Sequence, residues 1–385
     1  MVAPVLLLSL VWAAGYPETV RGKVVQDFKE CGWFFQNKIP PQGFLGRSRL
    51  RICQRFKNHY HFATLYRTDV RIPVYSAYRY PCSMGESEAY RPSPWFHEPQ
   101  IDNQNAGNDM RSSTKARSTK QATDADYQDS GYDRGHLYPF ALNDKESSTA
   151  TCTLTNAVPE EHGANVKWYQ EVEAVAERLS RVCRKSGRTM YLLTGAANPT
   201  RTKINNKVSV PRTVWTALCC TASPDHNRDP CLGDRTPPEG QDVLVYNRDF
   251  SFAFMKEMKP ERAAKHLTVR ELQRKLSVDS LFISCRGTSD NDERQTFEEV
   301  EGLIENKIIN PLNNTGSPAL RPFGYEATAV IFRSVYTYLL VPGHSAFLAV
   351  SQGTLLLAPV LHGAATVAAL ILVNAFSVLI NNPRD

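Results

Sequence analysis

The stretch Gly131-Tyr132-Asp133-Arg134-Gly135-His136-Leu137 constrains this chain more than any other, because a carboxylate, a guanidinium, a glycine and an imidazole follow one another directly. An imidazole exchanges a proton near neutral pH. A guanidinium two residues away offers a planar, permanently charged fork for phosphate oxygens. The glycine between them permits backbone shapes closed to other residues. Together they form a kit for attacking a phosphodiester. The rest of the chain has to supply a scaffold, a metal site and a compartment.

With 385 residues, 42% hydrophobic and 22% charged, the chain can bury a large core and is not of the disordered class. A net charge of +6 and a pI of about 8.8 suit a polyanionic partner. Residues 1–15 carry an apolar run followed by Ala13, Ala14 and Gly15, the layout of a secretory signal peptide. Nine cysteines follow: Cys31, Cys53, Cys82, Cys152, Cys183, Cys219, Cys220, Cys231 and Cys285. None lies in a CxxC pair or near His at zinc-finger spacing, which argues against a structural zinc site. In a secreted chain they are expected in disulfides, with one thiol left over by the odd count. Adjacent Cys219 and Cys220 are expected to reach different partners. Asn313-Asn314-Thr315 is a glycosylation acceptor.

Along the chain, residues 24–35 read as an apolar docked element. Residues 62–80 read as a β-hairpin with a charged turn at 67–69, rich in aromatic and β-branched residues. Residues 102–130 lack apolar periodicity and read as a long surface loop. A strand is expected over 152–158, then a helix over 165–183 on the stripe Trp168, Val172, Val175, Leu179 and Val182. Further strands are expected at 190–194, 214–219, 243–246, 250–254 and 281–283, with helices at 268–276 and 297–309. This mixture without βαβ alternation predicts an α+β fold. Residues 354–380 carry no charged side chain, and 361–380 alone is long enough to cross a bilayer. The expected organisation is therefore a signal (1–15), a Cys-containing extension (16–55), a main domain (56–310), a linker (311–353) and a hydrophobic membrane anchor (354–380). Residues 336–350 are a second, more polar apolar segment.

Phosphodiester hydrolysis needs an activated water, charge neutralisation at phosphate and a stabilised leaving group. His136 can supply the base and Arg134 a phosphate contact. Magnesium takes oxygen ligands and keeps most of its water, which directs attention to Asn156, Asn165, Glu171 and Glu173. On a regular helix from Asn165, Glu173 stands about 80° around and Glu171 about 120° away on the other side. Asn165 could equally cap that helix.

Asp133-Arg134-Gly135-His136 resembles the signature of the DNA/RNA non-specific endonuclease family, which has a ββα-metal (His-Me finger) fold with a central antiparallel sheet and flanking helices. Tyr127 and residues 129–132 resemble its lead-in. Thr155-Asn156-Ala157-Val158-Pro159 resembles the next segment, and Asn165 follows Asn156 at the family spacing. Trp168 and Glu173, Tyr191-Leu192-Leu193-Thr194-Gly195, residues 210–215 and residues 269–276 with Phe282 resemble later elements. The likeness spans residues 62–309. It implies that His136 is the general base and that Asn165 is the one direct protein ligand of a hydrated magnesium, or manganese, ion. Arg134 would stabilise the transition state, Glu173 (or Glu171) would hold metal-bound water, Asn156 would support the site and Asp133 would order the loop. Arg91 is the candidate for the family's upstream arginine, and Glu160 stands where the family usually has Gln. The implied partners are DNA and RNA, with the domain outside the cytosol. The rival is a membrane-anchored binding or adhesion module on the same fold, its chemistry lost.

Overall fold

The computed structural model describes residues 24–81, 90–112, 114–143, 145–222, 248–285 and 289–305, together with the backbone of two short strands near the C-terminus. In chain order the strands are β1 (Val24–Val25), β2 (Arg49–Phe56), β3 (His59–Arg67), β4 (Ile72–Arg79), β5 (Phe96–His97), β6 (Arg111–Ser112), β7 (Asp133–His136), β8 (Ala157–Glu160), β9 (Thr189–Ile204), β10 (Val208–Thr221), β11 (Phe250–Glu257) and β12 (Lys265–Leu267). The helices are α1 (Pro99–Asp102), α2 (Asp124–Tyr127), α3 (Lys145–Thr151), α4 (His162–Trp168), α5 (Ala174–Lys185), α6 (Val269–Leu276) and α7 (Asp290–Leu303).

Eight of these strands form one sheet in the order β1-β2-β3-β4-β9-β10-β11-β12, and every neighbouring pair is antiparallel. Successive side chains on a strand point to opposite faces, so the sheet builds two cores. On one face Leu192, Val214, Leu218 and Phe252 pack with Trp168, Val175, Leu179 and Phe297. On the other, Tyr191, Leu193, Trp215 and Ala217 meet Phe28, Phe34, Leu272 and Phe282. Helices thus flank an antiparallel sheet, which is the expected α+β architecture. The extension expected over residues 16–55 supplies, in its described part, β1 and nearly all of β2, the edge of this same sheet.

The alternation also settles the adjacent cysteines. Cys219 points to the second core and bonds Cys285, while Cys220 points to the first and bonds Cys183. A third bridge, Cys31–Cys53, ties the N-terminal segment to β2. Cys152 is free and buried. Cys82 and Cys231 lie outside the described residues, as do the signal segment, Asn313, the expected strand at 243–246 and residues 358–380 of the proposed anchor. In the unit from Pro318 onward, β13 (Leu348–Ser351) and β14 (Thr354–Leu357) pair antiparallel, so the first residues of the expected anchor are strand. Among the described residues no helix is long and apolar enough to cross a membrane.

Four sequence expectations change. The long helix begins at His162 with Glu161 as its cap, and it contains a π-turn at Tyr169–Glu173 before α5. The strand after Cys152 is a 3-10 turn, Leu154–Asn156, followed by β8. The helix expected to start at Phe297 starts at Asp290, where Ser289 and Asp292 form a capping box. Residues 281–283 are not a strand. The Gln273 side chain accepts the Leu281 N–H and Ser280 Oγ donates to the Phe282 carbonyl, so side chains take the place of a ladder there.

Candidate active site

The signature residues form a separate two-stranded ribbon. β7 pairs antiparallel with β8, setting Asp133 opposite Glu160, Arg134 opposite Pro159, Gly135 opposite Val158 and His136 opposite Ala157. α4 follows β8 after a single residue, which makes a ββα unit. Alternation places Asp133 and Gly135 on the face of Glu160, and Arg134 and His136 on the other.

Asn156 locks this ribbon to the sheet. Its Oδ1 accepts from Ser76 Oγ of β4 at 2.8 Å and from the Tyr138 N–H at 2.9 Å. Its Nδ2 donates to the carbonyls of Tyr138 and Thr151 at 3.1 and 3.0 Å. The residue is fully buried and its amide is wholly engaged, so Asn156 positions the site and has no polar atom left to touch a substrate.

His136 lies against the Trp95 ring, centroids 4.6 Å apart, and its Nε2 is 3.7 Å from Cys152 Sγ. Burial, reinforced by the positive charge of Arg91, pushes its imidazole well below the usual value. Burial likewise pushes the Cys152 thiol up to about 12, so it stays protonated. In the tautomer that carries its proton on Nε2, facing Sγ, the lone pair lies on Nδ1, which no protein group among the described residues engages.

Arg134 is half-buried. Its Nη2 donates to Asp124 Oδ1 at 3.0 Å, and its guanidinium carbon lies 5.3 Å from the Tyr127 ring centroid and 5.8 Å from that of Trp95. Asp124 belongs to α2, inside the stretch expected to be a surface loop. That stretch is instead partly buried, with the Tyr66 hydroxyl accepting the Ala122 N–H and Gln121 bonded to Glu98 and Asp102. Arg91 stacks over Phe140 at 4.1 Å and acts electrostatically on His136, Cys152 and Glu173 together. The resemblance offers Arg91 as the candidate upstream arginine, but no local motif marks it apart. The roles of Asp124, Trp95 and Cys152 had no sequence signal either.

Asn165 sits in the second turn of α4, not at its cap. Its Nδ2 donates to Asp133 Oδ2 at 3.0 Å, and His162 Nδ1 shares that oxygen at 2.9 Å. The amide is therefore oriented, and Oδ1 has no protein partner among the described residues. Asp133 is thus the acceptor that these two α4 side chains share. The π-turn separates the two glutamates. Glu171 accepts from Lys256 Nζ at 3.1 Å and from the Ala264 N–H at 2.8 Å. Glu173 instead lies in the recess near Arg91 and Glu160, its carboxyl pushed up to about 8 by burial against the pull of Arg91. Glu160 has both oxygens buried without a hydrogen-bond partner.

A free carboxamide oxygen beside carboxylates is the donor chemistry of a hard divalent cation. The unpartnered Glu160 oxygens are acceptors that the water shell of such an ion could satisfy, so the residues present fit one. Among the described residues no three His, Cys, Asp or Glu side chains are arranged as a metal cage. A cation at Asn165 would therefore keep most of its water.

Behind the ribbon, Glu98 is buried and accepts from Thr153 Oγ1 at 3.1 Å. Burial pushes its carboxyl from 4.5 up to about 8. A raised folded value means that the folded state holds the proton more tightly, so stability falls as pH rises from 4.5 to about 8. Glu98→Gln is expected to melt a few degrees above the parent at pH 8, with the gap closing towards pH 4.5. Thermal melts across that range check this; a constant gap would refute it.

Comparison with known proteins places the chain. The profile of the DNA/RNA non-specific endonuclease family matches residues 46–239. The human Endonuclease domain-containing 1 protein is 32% identical over 362 residues, covering 87% of this chain and 66% of the human one. Its mouse counterpart is 37% identical over 200 residues, covering 50% and 39%. The chain thus spans less than two thirds of the length of these relatives. A solved structure of the EndoG/EndoGI complex aligns with a TM-score of 0.39 at 15% identity, covering 59% of this chain and 86% of that one.

Proposed function

Because the chain belongs to the DNA/RNA non-specific endonuclease family, we propose that it is a metal-dependent endonuclease hydrolysing phosphodiester bonds of both DNA and RNA. The observation that carries this reading is His136: an imidazole held neutral by burial and Arg91, with Nε2 turned to Cys152 and Nδ1 free. Such a group takes a proton from water at neutral pH without first losing one of its own. Arg134 and Arg91 offer guanidinium groups to the phosphate oxygens, Arg134 steered by Asp124 and Arg91 by Phe140.

A bound magnesium or manganese ion would offset the negative charge that builds on the phosphate and leaving oxygen. Asn165 would hold it through Oδ1, with Asp133 fixing the amide. Glu173 would accept from its water. In this reading these groups are engaged with phosphate, metal and water and not with base edges, so cleavage is expected with little sequence preference. Three disulfides among the described residues fit an oxidising compartment. The reading includes a secreted or membrane-displayed enzyme, with the uncharged residues 361–380 long enough to serve as its anchor.

The test uses the purified protein on double-stranded DNA, single-stranded DNA and RNA. Cleavage of all three is expected with magnesium or manganese and is expected to stop when EDTA is added. Salt-sensitive binding of nucleic acid without hydrolysis at any metal concentration would instead favour a binding module on this fold.

A further inference from the structure

Among the described residues Glu160 has no hydrogen-bonding partner for its carboxyl group. It is 1% exposed, and both carboxylate oxygens are buried without a hydrogen-bond donor. Keeping a carboxyl ionised without a donor is costly, and burial, with Glu173 and Asp133 nearby, raises this one well above the usual carboxylate range. Its position adds to the cost, because it stands directly opposite Asp133 in the β7–β8 ladder, and like charges in that relation repel. Glu173 lies within electrostatic range on the other side. A glutamine of the same shape would bring donors of its own, and the related family usually has Gln here.

The fold nevertheless reserves room for this carboxylate. A Cβ built on Gly135 would lie 2.2 Å from Glu160 Cδ and 2.6 Å from Oε1. The glycine of the signature is therefore the residue that leaves space for the acid. Free acceptors in a preserved volume, beside the Asp133–Asn165 pair, call for donors carrying positive charge that the described residues do not supply.

We infer that Glu160 is a positioning residue for the hydrated divalent cation at Asn165, accepting hydrogen bonds from its water ligands and adding from β8 a negative charge to the site. This rests on the metal-dependent reading above. The role is to hold water and not to ligate directly, because no acidic cage is built among the described residues. The cation is thereby held by its water shell from both α4 and the ribbon.

The test measures binding of Mn²⁺ alone to the EDTA-stripped full chain, by loss of the free-ion electron paramagnetic resonance signal. Glu160→Gln is expected to raise the Kd at least tenfold. Melting in EDTA should be unchanged or higher, since a neutral amide replaces an unpartnered acid. Gly135→Ala, which displaces the carboxylate without removing its charge, is expected to weaken binding in the parent but not further in Glu160→Gln. A folded Glu160→Gln variant whose Kd lies within twofold of the parent overturns the inference, as does equal weakening by Gly135→Ala in both backgrounds. Cleavage by the parent is scored separately. A parent that cleaves while Glu160→Gln binds normally sinks this inference alone. Loss of Mn²⁺ affinity in a protein that never cleaves sinks the nuclease reading alone.

Discussion

His136→Ala is expected to lower metal-dependent cleavage of plasmid DNA and of RNA by roughly 10²–10⁴-fold, the contribution of a positioned general base. The fold should persist, because the ring meets Trp95 and Phe140 at the ribbon end and anchors no backbone hydrogen bond. A purely structural histidine would not respond to added imidazole, whereas a missing base should be partly replaced by it. The pH profile gives a second readout. The imidazole lies well below 6.5, chiefly through burial and then through Arg91. A base is active when deprotonated, so activity should hold down to and below pH 6.5 and fall only as the pH passes the depressed value. Arg91→Met should move that acid limb upward. Unchanged cleavage in His136→Ala would remove the assignment, and an acid limb above 6.5 in the parent would contradict the burial of the ring.

What could be read from the chain was whatever local periodicity or motif chemistry encoded. Residues 62–80 declared a hairpin because aromatic and β-branched side chains crowd both strands, and β3 and β4 pair as expected. β2 was missed because Arg49, Arg51 and Arg55 interrupt its apolar pattern, although Ile52, Cys53 and Gln54 are buried. The supposed surface loop at 102–130 is held by side chains distant in sequence, such as Tyr66 beneath Ala122 and Asn205 on Asp126. No window of sequence contains that information. Asn165 could be nominated from spacing, but its orientation depends on Asp133, 32 residues away. Glu160 showed only as a departure from a family pattern. Its isolation becomes visible once Gly135 lies across the ladder from its neighbour.

The choice between Glu171 and Glu173 shows the same limit and yields a decisive pair of variants. Turning the helix by 100° per residue assumed an unbroken α-helix, but residues 169–173 are a π-turn, and such turns recur where a site needs a local change of phase. The structure commits Glu171 elsewhere. It pairs with Lys256, whose ammonium is fully buried and, among the described residues, otherwise meets the Arg262 carbonyl. Glu171→Ala leaves that charge without its counterion, and breaking a buried pair costs about 3–5 kcal/mol. Because Glu171 is 29% exposed and water can reach it, the low end applies, roughly 3 kcal/mol, or a melting temperature lower by about 6–12 °C. Cleavage by the remaining folded protein should stay near the parental rate. Glu173→Gln should do the reverse. Its parent carboxyl, pushed up to about 8, is not a stabilising ion in the metal-free fold, so the melt should hold or rise at pH 8. Loss of a group holding metal-bound water should weaken metal affinity or activity by about 10–100-fold. Melts in EDTA beside metal-dependent rates separate the two residues. A Glu171→Ala protein that melts normally but no longer cleaves, with Glu173→Gln unaffected in rate, would transfer the site role to Glu171.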